Sequence, residues 1–232
     1  MKDIFLVDVD DTILDFHGVS ALGLKNAFKA NGVPFNFEIE KAFRSFNGGL
    51  WESLERKEIT REELMRERFP RFFQSLGMEG VDGYAVNASF IEYISTHPAY
   101  LNGAESFLNE LSKLGRIYFV TNGTQEIQKS RFDKINLWDK AEKIFISQEI
   151  GYDKPAKEYT KYVVNNIQDF SFEKAVWIGD SLSADIKAAN DANVTSIWFN
   201  PRQNEVNGRV QPDYIVKNFD EILKILQKIN AN

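Results

Sequence analysis

Five short apolar runs recur along the chain: Ile4–Val7 (IFLV), Ile117–Val120 (IYFV), Lys143–Ile146 (KIFI), Ala175–Ile178 (AVWI) and Ser196–Phe199 (SIWF). None alternates apolar with polar residues, the pattern of a strand with one wet face. Runs of this kind predict strands covered on both sides, as in a parallel sheet. The stretches 123–142, 148–174 and 181–195 between the later runs are each sized for one crossover helix. A last segment bearing Phe219, Ile222, Leu223, Leu226 and Ile229 repeats with helical periodicity. Strands alternating with helices predict a doubly wound, Rossmann-like α/β core with a mainly parallel sheet.

The first gap breaks that rhythm. From Asp11 to Arg116 there are 106 residues, far more than one crossover needs, so a second folding unit is expected after the first strand. Its pattern is helical: VSALGLKNAFKAN carries apolar Leu22, Leu24 and Phe28. Thr60 and Glu63 form a capping box ahead of Leu64, Met65, Phe69, Phe72 and Phe73. Pro70 inside that run predicts a kink or break. The expectation is an α/β core of residues 1–16 and 98–232 with a helical cap, residues 17–97, inserted between Gly18 and Pro98.

Polar chemistry gathers where the strands end. The first run stops at Asp8, Asp10 and Asp11. Residues i and i+2 of a strand share a face about 6.6 Å apart, so if the strand continues, Asp8 and Asp10 address one site. The second run ends in Thr121-Asn122-Gly123, the third leads to Lys154 before Pro155, and the fourth ends in Asp180-Ser181 with Asp185 close behind. Each has an ordinary reading too: caps at Asp11, Thr12, Thr121 and Ser181, a solvated lysine at 154, a first-turn helix acid at 185. Open α/β sheets bind ligands beyond the C-terminal ends of their strands, and four such ends point to one shared site.

Composition narrows the class. With 28 Lys and Arg against 34 Asp and Glu, the net charge of −6 argues against binding polymeric nucleic acid. No apolar stretch reaches the roughly 18 residues of a membrane span. The short first run does not read as a signal peptide, and a cytoplasmic location is the expectation. The absence of cysteine excludes disulfide and thiolate chemistry.

In order, DVDDT, VTNG, DKP and GDSLSAD resemble the four motifs of the haloacid dehalogenase-like (HAD) superfamily, phosphatase branch. The resemblance implies a Mg²⁺-dependent phosphomonoesterase working through an aspartyl-phosphate. Asp8 would be the nucleophile. Mg²⁺ would be held by Asp8, Asp180 and the backbone carbonyl of Asp10, with Asp185 binding it or orienting its water. Asp10 would be the acid/base, a group that dehalogenases of the superfamily lack. Thr121, Lys154 and Asn122 would contact the phosphoryl oxygens.

FNGGLWESLERKEITREELMRERF, ISQEIGYDKP and GDSLSADIKAANDANVTSIWFNP further resemble the noncanonical pyrimidine 5′-nucleotidases, although Thr124 stands where that family places an aromatic residue. That resemblance implies a nucleoside 5′-monophosphate substrate. Phe46, Asn47 and Trp51, around a flexible Gly48-Gly49, are candidates for the base pocket, with a small cap core as the alternative for the aromatics. Arg68 reads as a solvated helix charge, with a pocket residue as the alternative, and His17 as incidental. A sugar-phosphate phosphatase or phosphomutase shares the same core. A non-enzymatic receiver-type phosphoacceptor is a remote reading, because its acceptor Asp follows the third strand, where this chain has Gln148 and Glu149. The oligomeric state stays open.

Overall fold

The computed structural model describes residues 1–206, 208 and 210–231. In chain order the elements are β1 (Ile4–Val7), α1 (Phe16–Ala30), α2 (Phe37–Glu55), α3 (Arg61–Ser75), α4 (Gly83–Thr96), α5 (Ala104–Leu114), β2 (Arg116–Thr121), α6 (Gln125–Ile135) and β3 (Lys143–Ile146). Then come α7 (Ser147–Ile150), α8 (Lys157–Asn165), β4 (Ala175–Gly179), a π-type turn (Leu182–Ile186), α9 (Lys187–Asp191), β5 (Thr195–Phe199), β6 (Tyr214–Val216) and α10 (Phe219–Ala231). The chain forms two compact units, Phe16–His97 on one hand and Met1–Asp15 with Pro98 onward on the other. Among the described residues no helix is long and apolar enough to cross a membrane.

The sheet unit is built on six strands in the order β3-β2-β1-β4-β5-β6, every neighbouring pair parallel. All four residues of β1 are fully buried. Phe5 and Val7 pack with Phe107 and Leu111 of α5, Phe132 of α6 and Ile222 and Leu226 of α10. Ile4 and Leu6 face the other layer, with Tyr159 and Val163 of α8 and Ala188 and Ala189 of α9. Two apolar layers explain why the strand sequences do not alternate. The sixth strand escaped the sequence reading. It is three residues at the sheet edge with Ile215 about half exposed, too short and too open to form an apolar run.

The helical unit has a phenylalanine core. Phe43 of α2 stacks on Phe69 of α3 at 4.6 Å between centroids, and Phe28, Phe72, Phe73 and Phe90 surround the pair. The Thr60–Glu63 capping box forms in both directions. Leu22 is exposed, and its place on the buried face of α1 goes to Gly23, which lies against Phe90, Tyr93 and Ile94. Pro70 does not break α3. The backbone of α4 comes so close there that a Cβ on Gly83 would lie 2.6 Å from the Pro70 nitrogen.

Gly115, between α5 and β2, lets the second strand enter beside the first. A Cβ there would lie 2.2 Å from the Asp3 carbonyl oxygen, to which the Arg116 amide donates at 2.9 Å. Gly115→Ala is expected to cost about 1–3 kcal/mol as an overpacked contact against backbone, read as a lower urea midpoint with an unchanged slope.

Candidate active site

The sheet order places β1 between β2 and β4, at the point where successive strands diverge to opposite sides. That switch point is where an open α/β sheet leaves a crevice at its C-terminal edge. Asp8 follows the last residue of β1, Thr121 ends β2, and Asp180 follows β4. The Asp8 amide donates to the Ile178 carbonyl at 2.9 Å, holding it beside the end of β4. Asp8, Asp180 and Asp185 each offer a carboxylate oxygen, and the three oxygens lie within 4.8 Å of one another.

Lys154 enters this cluster and is not a solvated surface lysine. Its side chain is 2% exposed, and Nζ donates to Asp8 Oδ1 at 2.6 Å, to Asp185 Oδ1 at 2.6 Å and to the Val120 carbonyl at 2.8 Å. Those three bonds use every proton an ammonium has. Asn122 holds the loop that delivers it: its Nδ2 donates to the Lys154 carbonyl at 2.9 Å and its Oδ1 accepts from the Lys154 amide at 2.7 Å. The Asn122 side chain, expected at the phosphoryl group, braces the loop that carries Lys154. Thr12 Oγ1 donates to Asp8 Oδ2 at 3.1 Å, a role beyond turn capping. Asp185 is 1% exposed and accepts from the Ser181 amide at 3.2 Å. Its carboxyl fits because Gly179 is bare; a Cβ there would sit 2.3 Å from Asp185 Cγ.

Burial pushes the Asp8 carboxyl up to about 7; the Lys154 ammonium opposes this and the Asp185 charge adds to it. Desolvation, then the Asp8 and Asp185 charges, raise Asp180 well above the ordinary carboxylate range. Lys154 loses solvation too, but the Asp185 and Asp8 carboxylates outweigh that and hold its pKa above the usual lysine value. One ammonium faces three carboxylates, so the cluster carries excess negative charge and hard oxygen donors. That donor set fits a divalent cation of the oxygen-seeking kind, held by Asp8, Asp180 and Asp185.

The strand does not continue through Asp10. It stops at Val7, so strand geometry does not set the Asp10 side chain; residues of α6 hold it. Asp10 Oδ1 pairs with Arg131 Nη2 at 2.5 Å, and Oδ2 accepts from Gln128 Nε2 at 2.9 Å. The same Gln128 Nε2 donates to Thr121 Oγ1 at 2.9 Å, and Arg131 Nη1 donates to Gln128 Oε1 at 2.6 Å. Gln128 and Arg131 went unnoticed in the sequence, yet a signal was there. With Phe132 and Ile135 they occupy i, i+3, i+4 and i+7 of α6, so two long polar side chains lie on its inward face. Asp11 has φ +60 and its carboxylate lies 3.4 Å from Arg202, consistent with a turn acid.

The remaining candidates belong to the helical unit. Phe46, Asn47 and Trp51 lie within α2, and so do Gly48 and Gly49, so the glycine pair is helical and not a flexible loop. Phe46 packs on Phe72 at 5.6 Å, Trp51 lies under the Arg61 guanidinium at 5.5 Å, and Asn47 Oδ1 is buried without a hydrogen-bond partner. Arg68 is no solvated charge. It is 2% exposed, donates from Nε to Asn87 Oδ1 at 2.8 Å and lies over the Phe90 ring at 4.8 Å; burial lowers its pKa to about 9. His17 sits against Arg44.

The family model of the haloacid dehalogenase-like hydrolases matches residues 2–193. The chain belongs to this family. The HAD-hydrolase YfnB of Bacillus subtilis is 33% identical over 97% of this chain and 96% of its own length. Its crystal structure, bound to magnesium, superposes with a TM-score of 0.90 at 32% identity, covering 97% of this chain and 98% of that one. The pyrimidine 5′-nucleotidase PynA of Streptococcus pneumoniae is 33% identical over 96% of this chain and 94% of its own. The pyrimidine 5′-nucleotidase YjjG of Escherichia coli is 26% identical over 97% and 98%.

Within this HAD-like site, Lys154→Met is expected to cost about 3–5 kcal/mol in chelator at pH 8, because Asp8 and Asp185 are left buried without their cation. The loss should shrink at pH 5, where the carboxylates take up protons. Urea denaturation at the two pH values measures it, and wild-type stability at pH 8 would contradict it.

Proposed function

We propose that this HAD-like hydrolase is a Mg²⁺-dependent phosphomonoesterase that cleaves nucleoside 5′-monophosphates, pyrimidine nucleotides foremost, through an aspartyl-phosphate. The observation that carries the reading is Asp8: a buried carboxylate held by Lys154 and Thr12, inside an acidic cluster at the sheet's switch point. Similarity to PynA and YjjG supports the nucleotide substrate.

In this mechanism an Asp8 oxygen attacks phosphorus and the bond to the leaving alkoxide breaks, with Asp10 giving the alkoxide its proton. Asp10 then takes a proton from the water that attacks the same phosphorus, breaking the bond to Asp8 and releasing phosphate. Lys154 and Thr121 offset the charge spread over the phosphoryl oxygens. Bound by Asp8, Asp180 and Asp185, Mg²⁺ supplies further neutralisation of that charge. Residues 1–16 and 98–232 form the catalytic core in this reading, and residues 17–97 the cap. Phe46 and Trp51 give the cap aromatic faces for a base, each worth about 1–3 kcal/mol in stacking, and Asn47 an acceptor.

Phosphate release from UMP, dTMP, AMP and hexose phosphates tests the substrate. Preference for UMP and dTMP is expected; activity on hexose phosphates alone would show a sugar-phosphate enzyme. Asp8→Asn should abolish turnover and leave the metal-free protein at least as stable as wild type, since it removes one carboxylate from a crowded site.

The pH dependence follows from Asp8. Its folded pKa, about 7, lies above the ordinary 3.8, so the folded state holds the proton longer than the unfolded one. Its favourable contribution is therefore present at low pH and is lost as pH rises through about 7. A cation that needs the carboxylate gains most where the proton has left. Mg²⁺ should raise the melting temperature more at pH 8 than at pH 5; equal increments would remove Asp8 from the cation site.

A further inference from the structure

The Asp10 side chain is held by α6 more firmly than a turn acid requires. Arg131 takes one of its oxygens at 2.5 Å and Gln128 the other at 2.9 Å. Gln128 reaches Thr121 Oγ1 with the same nitrogen, and Arg131 fixes the Gln128 amide by donating to its Oε1 at 2.6 Å. That last bond decides which end of the amide is the donor, because Oε1 must face the guanidinium. Both residues are 1% exposed, while Asp10 keeps 29% of its side chain open. Gly123 makes room: a Cβ there would lie 2.3 Å from Gln128 Cγ.

We infer that Gln128 and Arg131 are positioning residues that lock the Asp10 carboxylate and the Thr121 hydroxyl into one rigid unit. Proton transfer at the leaving oxygen and contact with the phosphoryl group then keep a fixed separation through both half-reactions. Asp10 lies in the turn after β1 and Thr121 at the end of β2, so no shared strand sets their separation; the α6 network links them. A carboxylate oxygen has two acceptor positions, so the engaged Asp10 can still meet the substrate. Burying an arginine and a glutamine on an inward helix face is poorer for stability than apolar residues of similar size. That favours a role at the site over one in the core. The inference rests on the proposed phosphomonoesterase reaction.

The test is steady-state kinetics of Arg131→Met, Gln128→Met and Arg131→Lys on the nucleotide that the wild type cleaves best, with each change repeated in Asp10→Asn. Displacing a reacting group by about 1 Å costs on the order of 100-fold, so the two methionine variants should lose about 10- to 100-fold in kcat with KM nearly unchanged. Arg131→Lys should regain part of the loss through a single ion pair. In the Asp10→Asn background the methionine changes should cost markedly less than in the wild type, because the part of their effect that runs through Asp10 is already lost. Losses that multiply in that background, a raised KM with intact kcat, or an unchanged kcat would each overturn the inference. If near-UV circular dichroism shows Arg131→Met misfolded, Gln128→Met, which keeps the Arg131–Asp10 pair, carries the cycle. A wild type that cleaves no phosphomonoester overturns the function and this inference with it. Activity with multiplying losses overturns the inference alone.

Discussion

The site depends on one buried ammonium. Lys154 arrives from the loop after β3 and bonds the acid after β1, the last carbonyl before Thr121 on β2, and the acid that follows β4. It thereby ties the C-terminal ends of the central strands into a single charge cluster. Three carboxylates crowd beside one lysine, and desolvation first, with their mutual repulsion adding to it, raises Asp8 and Asp180. Ion pairs of this kind seldom improve a fold over apolar packing. Their value here is placement, with each charge aimed by a partner that cannot move far.

Close approach explains the motif glycines. Gly123 and Gly179 both have φ outside the left-handed region, so neither serves a turn that only glycine can make. Each stands where a methyl group would overlap a working side chain, Gln128 in one case and Asp185 in the other. The small residues after β2 and at the end of β4 are therefore part of the charge arrangement, since they let long polar side chains lie flat against the strand ends.

The helical unit follows different rules. Its interior is a cluster of phenylalanine rings, a packing that tolerates exchange among similar shapes better than a hydrogen-bonded network does. Within it lie two polar groups with unmet capacity, Arg68 Nη2 and Asn47 Oδ1.

Much of this was legible in the chain itself. Short apolar runs without alternation specified buried parallel strands, and the 106-residue gap specified an insertion, because both follow from local pattern and chain length. The motif residues at the strand ends were legible because residue type and topology coincide there. Partnership was not. Sequence spacing put Asp8 and Asp10 on a common face of one strand, but the strand stops at Val7 and residues of helix α6 hold the Asp10 carboxylate. Arg68 read as a surface charge and is buried, and the edge strand β6 was too short to see. Burial, rotamer and partner are set by segments distant in the chain, and a buried charge is stable only once those segments have met. The chain alone determined which chemistry is carried and on what scaffold; tertiary packing decided which carboxylate faces which cation.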